Sequence, residues 1–222
     1  AVGGLGLIAL VVAIVLAVTS ALAPVTTTGG GEDPTESESP TETETPTPTA
    51  TDAASDGVIS LDEFGVFDAD PDFVVDLPSS WEQTVTDDDG QNVWVSDTLP
   101  CTFDTIVDSL DPGDTDVEGG DETDTTPTVE ADAEGLVDNY TEGEVVDTGG
   151  TVTLLTEDGT EIEFMTSEVE YVTDDGVNAY FLIGTRVFAD SGAYLSFAVS
   201  CDSTQDPSVF EDVVESVTVS TT

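Results

Sequence analysis

From Val58 onward, apolar positions recur at intervals that switch between the period of a strand and that of a helix, with turn residues between the runs. "DFVVDLPSSW" (Asp72 to Trp81) reads as a strand ending at Pro78, and "QNVWVSD" (Gln91 to Asp97) as another, entered through the turn "DDDG". In "TFDTIVDSL" (Thr102 to Leu110), Phe103, Ile106, Val107 and Leu110 share one face at helical spacing, which predicts a helix. Next, "DPGDTDVEGGDETDTTP" breaks every periodicity and predicts a long acidic loop over residues 111–126.

A second helix is expected to start at Thr126 as its cap, with Pro127 in its first turn. Val129, Ala133, Leu136, Val137 and Tyr140 form its apolar stripe, and Gly143 supplies the stop. Beyond it, Asp158-Gly159, Asp175-Gly176 and Ser191-Gly192 punctuate β-rich runs, the pattern of consecutive hairpins. Asp206-Pro207 then opens a short helix with Phe210, Val213 and Val214 facing inward, and "SVTVS" closes as a strand. The fold class is therefore α+β: a mostly antiparallel sheet with a C-terminal meander flanked by helices, α/β/α sandwich-like.

The chain ahead of this domain has a different texture. "AVGGLGLIALVVAIVLAVTSALA" (residues 1–23) has no charged residue. As a helix it would be roughly 34 Å long, enough for a hydrocarbon core of about 30 Å, so it predicts a single-span transmembrane anchor. Ala21-Leu22-Ala23 resembles a signal-peptidase site, although Pro24 follows it, so a cleaved signal and a filament-forming helix are the alternatives. The chain starts at Ala rather than Met, so residues upstream of it are expected. Residues 24–56 are rich in Pro, Thr, Glu, Gly and Ser and cannot offset their ordering entropy by burial, so a disordered stalk is expected. The domain, residues 57–222, is then expected on the extracytoplasmic side of the membrane.

Composition sharpens the setting. The sequence holds 49 acidic residues against one basic residue, Arg186, with no histidine and a formal charge of −48. Nucleic acid is excluded as an electrostatically favoured partner, because binding phosphate needs Lys and Arg. Lysine-free, Asp/Glu-rich chains of this kind resemble proteins of halophiles, and a saline habitat is expected, where screening relieves the self-repulsion. Cys101 and Cys201 are the two cysteines, and in an exported chain they are expected to form a disulfide, with two free buried thiols as the alternative.

"FVVDLPSSWEQ" resembles the opening of PsbP-like domains, including bacterial lipoproteins of the LpqN type. "GAYLSFAVSCDSTQDPSVFEDVVESVTV" is similar to their terminal strand, acidic helix and closing strand. The resemblance spans residues 58–222 and implies an α/β/α fold that serves as a non-catalytic accessory, envelope or protein-binding module. Its motifs are packing patterns, and no functional residue is carried over.

Several residues are candidates for chemistry. In "DAASDGVISLDEF", Asp52, Asp56, Ser60 and Glu63 fall on positions 1, 5, 9 and 12 of a calcium loop, and Gly57 on position 6. Ala54 removes the ligand at position 3, and the prolines upstream forbid an entering helix, so a stalk end meeting the first strand is the competing reading. Arg186 is a candidate contact for an anionic ligand, against a role answering nearby carboxylates across the sheet. Trp81 and Trp94 are a candidate ligand platform, against partly buried core. Asn139-Tyr140-Thr141 is a glycosylation sequon placed inside an expected helix. Without histidine, lysine or a nucleophile motif, no catalytic constellation is visible. The expected function is a membrane-anchored, non-catalytic accessory or binding domain of the cell envelope, adapted to high salt, with an envelope protein or glycan as partner. A calcium-stabilised surface adhesion module and a carboxylate-dependent glycan hydrolase are the alternatives.

Overall fold

The computed structural model describes residues 57–110, 115, 119–140 and 142–221. The expected anchor (1–23), the expected stalk (24–56) and most of the loop at 111–118 lie outside them. Among the described residues, no helix is long and apolar enough to cross a membrane.

Ten strands form one sheet: β1 (Val58–Ile59), β2 (Asp72–Val75), β3 (Trp81–Asp88), β4 (Gln91–Ser96), β5 (Cys101–Ser109), β6 (Gly143–Thr156), β7 (Glu161–Val172), β8 (Asn178–Phe188), β9 (Ala193–Asp202) and β10 (Val217–Ser220). Among the described residues two helices accompany them, α1 (Asp121–Asp138) and α2 (Ser208–Val214). The spatial order is β2-β10-β6-β7-β8-β9-β5-β4-β3, with β1 beside β7. All neighbours are antiparallel except β10–β6 and β1–β7. The expected α+β class and the meander of hairpins at Asp158-Gly159, Asp175-Gly176 and Ser191-Gly192 are present, each glycine in the left-handed region.

Register sorts the side chains. Partners across a ladder share a face, so Ser167, Ile183, Ala198 and Asp104 stand in one row across β7, β8, β9 and β5. The adjacent row is Met165, Thr185, Ser196, Ile106 and Gln91. Helix α1 packs Ala133 and Leu136 against this face, meeting Val169, Tyr171, Phe181 and Ile183. The alternate residues, among them Phe103, Phe164, Leu195, Phe197 and Val199, form the larger core on the opposite face, where Val213 and Val214 of α2 join them. Gly184 lies beside Phe197 in the ladder, and a Cβ there would collide with the Phe197 ring; glycine is what lets that ring lie against the sheet.

Strand β3 was not expected from the sequence, and two expected elements take a different form. Residues 101–109 are a strand, not a helix. β5 runs between β4 and β9 and buries Phe103 on one face and Asp104 on the other, so the apolar alternation of a half-exposed strand is lost and the surviving pattern mimics a helical period. Helix α1 begins at Asp121, inside the expected loop, and carries Pro127 in its interior. Proline there removes one intrahelical bond. Thr126 Oγ1 and Thr128 Oγ1 donate to the carbonyls of Glu122 and Asp124 (2.9 and 2.7 Å), and a buried anchor at Asp121 holds the first turn.

Candidate functional site

The first described segment, residues 57–65, crosses the start of β7 as a strap, and the single cation of the sequence fastens it. Arg186, on β8, has no exposure. Its Nη1 donates to the carbonyls of Ile59 (2.9 Å) and Glu163 (2.8 Å), and Nη2 to those of Ser60 (3.0 Å) and Glu63 (3.3 Å). Nε and Nη2 both donate to Asp121 Oδ2, at 2.9 and 2.7 Å. Asp121 also accepts from the backbone N–H of Gly65 (3.0 Å) and of Ala189 (2.9 Å). The amides opening α1 have no side-chain cap; Glu122 N–H donates to Leu61 O (2.7 Å) and Asp121 N–H approaches Glu63 O (3.4 Å), so strap carbonyls do the capping. Gly120, with φ 75°, allows the close approach, since a Cβ there would meet the backbone of Asp62.

Burial pulls the Arg186 guanidinium down and pushes the Asp121 carboxyl up, and the attraction between them opposes both shifts. Arg186 is thus committed to the interior, where it answers a carboxylate and the strap backbone; this describes the expected ligand contact as a structural clasp. Ser60 and Glu63, proposed from the sequence as metal ligands, bond to one another through Ser60 Oγ and Glu63 Oε2 (3.2 Å), while their carbonyls face Arg186. Their companions Asp52 and Asp56 lie outside the described residues. Among the described residues, no group of three or more His, Cys, Asp or Glu side chains is arranged to hold a metal ion. Of the expected acidic loop, Asp121, Glu122 and Asp124 belong to α1, while Asp111, Asp114, Asp116 and Glu118 lie outside the described residues.

Trp81 and Trp94 are diagonal neighbours on β3 and β4, both half-buried against the larger core. The Trp94 ring packs on Phe103 with centroids 5.5 Å apart. Cys101 and Cys201 are directly paired on β5 and β9 and form a disulfide with about 2% exposure or less.

A second polar cluster, not anticipated from the sequence, lies between α1 and the sheet. Asp132 Oδ2 accepts hydrogen bonds from Tyr194 Oη (2.9 Å) and Thr185 Oγ1 (3.2 Å), and Thr185 Oγ1 lies 3.1 Å from Ser196 Oγ. Asp132, Asp104, Tyr194 and Ser196 line a cavity of about 20 Å³, with room for about one water. Burial pushes Asp132 up to about 6, against the two hydroxyl donors that favour its ionised form. It pushes Asp104 up to about 7. The Gln91 amide lies near enough to oppose that shift, although its Nε2 meets no acceptor at hydrogen-bonding geometry. The Tyr194 hydroxyl, buried beside Asp132, is pushed well up and stays protonated as a donor. Two carboxyls that change charge near neutrality face a space of water size. The signal for Asp104 was present once residues 101–109 are read as a strand, because Asp104 then shares a face with Thr102 and Ile106; with 49 acidic residues in the chain, it carried no distinction.

No protein-family model matches the chain, and no curated protein matches its sequence. Among solved structures, it is similar to LpqN of Mycobacterium tuberculosis, involved in cell envelope biogenesis, at 15% identity and a TM-score of 0.46, over 68% of this chain and 85% of that one. It is also similar to the Ran-binding protein Mog1p of Saccharomyces cerevisiae, at 9% identity and a TM-score of 0.41, over 68% of this chain and 95% of that one. The likeness to LpqN agrees with the resemblance read from the sequence and concerns the fold alone.

Proposed function

We propose that this protein is an accessory or binding module of the cell envelope, held outside the membrane on an acidic stalk and adapted to saline surroundings. The observation that carries this reading is the buried cystine between β5 and β9. Disulfides form and persist in oxidising compartments and are rare in a reducing cytosol. The uncharged first 23 residues and the Pro/Thr/Glu-rich segment that follows supply the matching sequence features.

A binding role is favoured over a hydrolytic one by the dimensions around the interior acids. A glycosidase pair flanks a bound sugar, with carboxyls roughly 5–9.5 Å apart. Asp104 and Asp132 face a cavity of about 20 Å³, which admits a water and not a sugar. The Arg186 donors are likewise already bonded within the protein.

The test is protease treatment of intact cells, with thiol alkylation of the same sample. Shaving should release residues 57–222 while a cytoplasmic marker survives, and Cys101 and Cys201 should resist alkylation until reduced. A domain that survives with the cytoplasmic marker, both cysteines alkylated, would overturn the reading.

A further inference from the structure

We propose that the second half of helix α1 is a pH-sensitive latch: it lies closed on the sheet while Asp132 and Asp104 are protonated, and is released when they ionise. The device is separate from the envelope role proposed above and depends on neither its compartment nor its partner. Its basis is a contrast in how the two halves of α1 are attached. In the first half, Asp121 pairs with Arg186 and accepts the N–H groups of Gly65 and Ala189, and Thr125 Oγ1 accepts that of Val187 at 3.0 Å. Val129 packs there with Leu61 and Met165. The carboxylate at this end has its own counter-charge.

The second half lacks one. Among the described residues, Asp132 is its polar tie to the sheet, with Oδ2 accepting from Tyr194 Oη of β9 and Thr185 Oγ1 of β8. Ala133, Leu136 and Val137 add apolar contacts. Asp104 reaches the same cavity from β5, and both carboxyls are buried, Asp104 with 4% exposure and Asp132 with 6%. The groups turned towards the pair are the hydroxyls of Tyr194, Thr185 and Ser196 and the Gln91 amide of β4. Tyr194 stays protonated, and none of the others ionises or carries positive charge. Arg186, the one cation of the sequence, is bound to Asp121.

Protonated, the two carboxyls are neutral and the interior tolerates them. Ionised, they place two like charges at a space of about 20 Å³, with room for about one water and no counter-charge. The closed form therefore holds its protons up to about pH 7 at Asp104 and about 6 at Asp132, against 3.8 for an ordinary aspartate. Its advantage over an open form is complete at acid pH and is lost as pH rises through 6 and 7. Admitting water relieves the charge, and the helix is the side that yields. Strand β5 is hydrogen-bonded to β4 on one edge and to β9 on the other, and the cystine ties its first residue to β9. The second half of α1 touches the sheet through side chains. With its first turns fixed, α1 opens from the C-terminal end and bares Val169, Tyr171, Phe181 and Ile183 beneath it.

The experiment is hydrogen–deuterium exchange of the oxidised full chain in 1 M NaCl, read by mass spectrometry at pH 5 and pH 8.5 and corrected for the intrinsic pH dependence of amide exchange. After correction, amides of residues 130–138 should exchange roughly 10- to 100-fold faster at pH 8.5, while those of residues 121–128 and of β8 and β9 keep their protection. Asp104→Asn keeps the shape, removes one charge and should abolish most of the difference. The parent chain supplies the comparison by itself, so the test does not rest on the variant's folding. Equal protection of residues 130–138 at the two pH values would overturn the latch. So would a uniform loss across the domain, which is global destabilisation, or a difference that persists undiminished in folded Asp104→Asn.

Discussion

Arg186 Nη2 and Asp121 Oδ2 lie 2.7 Å apart with no exposure of either side chain, joining the middle of the sheet to the first residue of α1 across 65 positions of sequence. A protein with 49 acidic residues has spent its one cation in its interior. The pair fixes three things together: the strap at 57–65, the start of α1, and the β7–β8 ladder beneath them.

Breaking this pair from one side strands a buried charge. Arg186→Gln and Asp121→Asn should each destabilise the domain by roughly 3–5 kcal/mol. Arg186→Lys should recover little of the loss, because an ammonium cannot present the planar fork that reaches Asp121 and the strap carbonyls together. Urea unfolding in 1 M salt measures all three. A loss below about 1 kcal/mol for Arg186→Gln would mean that the clasp contributes no more than an exposed ion pair does.

The cystine closes a separation of 100 residues. In the chain-entropy model, a loop of that length stabilises by roughly 4–5 kcal/mol. The Cys101→Ala/Cys201→Ala double variant should keep the β5–β9 pairing, since the strands are in register along the whole of β5, and lose stability of about that size. Denaturant titration of the variant against the oxidised parent checks it; equal midpoints would remove the cystine as a stabilising element.

Asp104 and Asp132 set a pH dependence whose sign follows from their direction of shift. Their carboxyls stand near 7 and 6 in the folded protein and at 3.8 as ordinary aspartates, so the folded state holds protons that the unfolded chain has released. Their contribution to stability is greatest below about pH 4, falls as pH rises through 6 and 7, and is flat above that. Asp104→Asn should therefore stabilise the protein at pH 8, by on the order of 2–4 kcal/mol, and leave it little changed at pH 4. Melting temperatures of parent and variant across pH 4–8 measure the difference; parallel curves would exclude a buried, near-neutral Asp104.

The charge of −48 should make stability depend on salt. The Debye length falls from about 10 Å at 0.1 M to about 3 Å at 1 M, which removes most repulsion among exposed carboxylates. Melting temperature should rise over that range by similar amounts in NaCl and KCl. Calcium chloride at matched ionic strength tests the calcium-loop expectation separately, because a site that includes Asp52, Asp56, Ser60 and Glu63 would give an increment beyond screening. A melting temperature that is flat in salt would contradict the saline reading.

The legible parts of this protein were those written in neighbouring residues. Asp158-Gly159, Asp175-Gly176 and Ser191-Gly192 marked the hairpins because a tight turn needs left-handed backbone, and the glycine of each pair supplies it. Val213 and Val214 were placed inward by helical spacing alone, and both are buried. Residues 101–109 read as a helix because a strand covered on both faces loses its apolar alternation, and the pattern left over mimics a helical period. The start of α1 reads too late in the sequence because Pro127 is a strong local signal, while the partner that overrides it, Arg186 on Asp121, lies far along the chain.

By itself, then, the order of residues determined the α+β class, the meander, the interior-facing stripe of each helix, the charge and the presence of two cysteines, since each depends on backbone preference or composition within a few positions. Only the tertiary structure decided which of 49 carboxylates lose their water, that Arg186 clasps the strap rather than facing solvent, and that Asp104 and Asp132 share a cavity. The reason is that desolvation belongs to a place in the fold and not to a residue type: an aspartate reads the same in every sequence, and becomes distinct only when distant strands and a helix close over it.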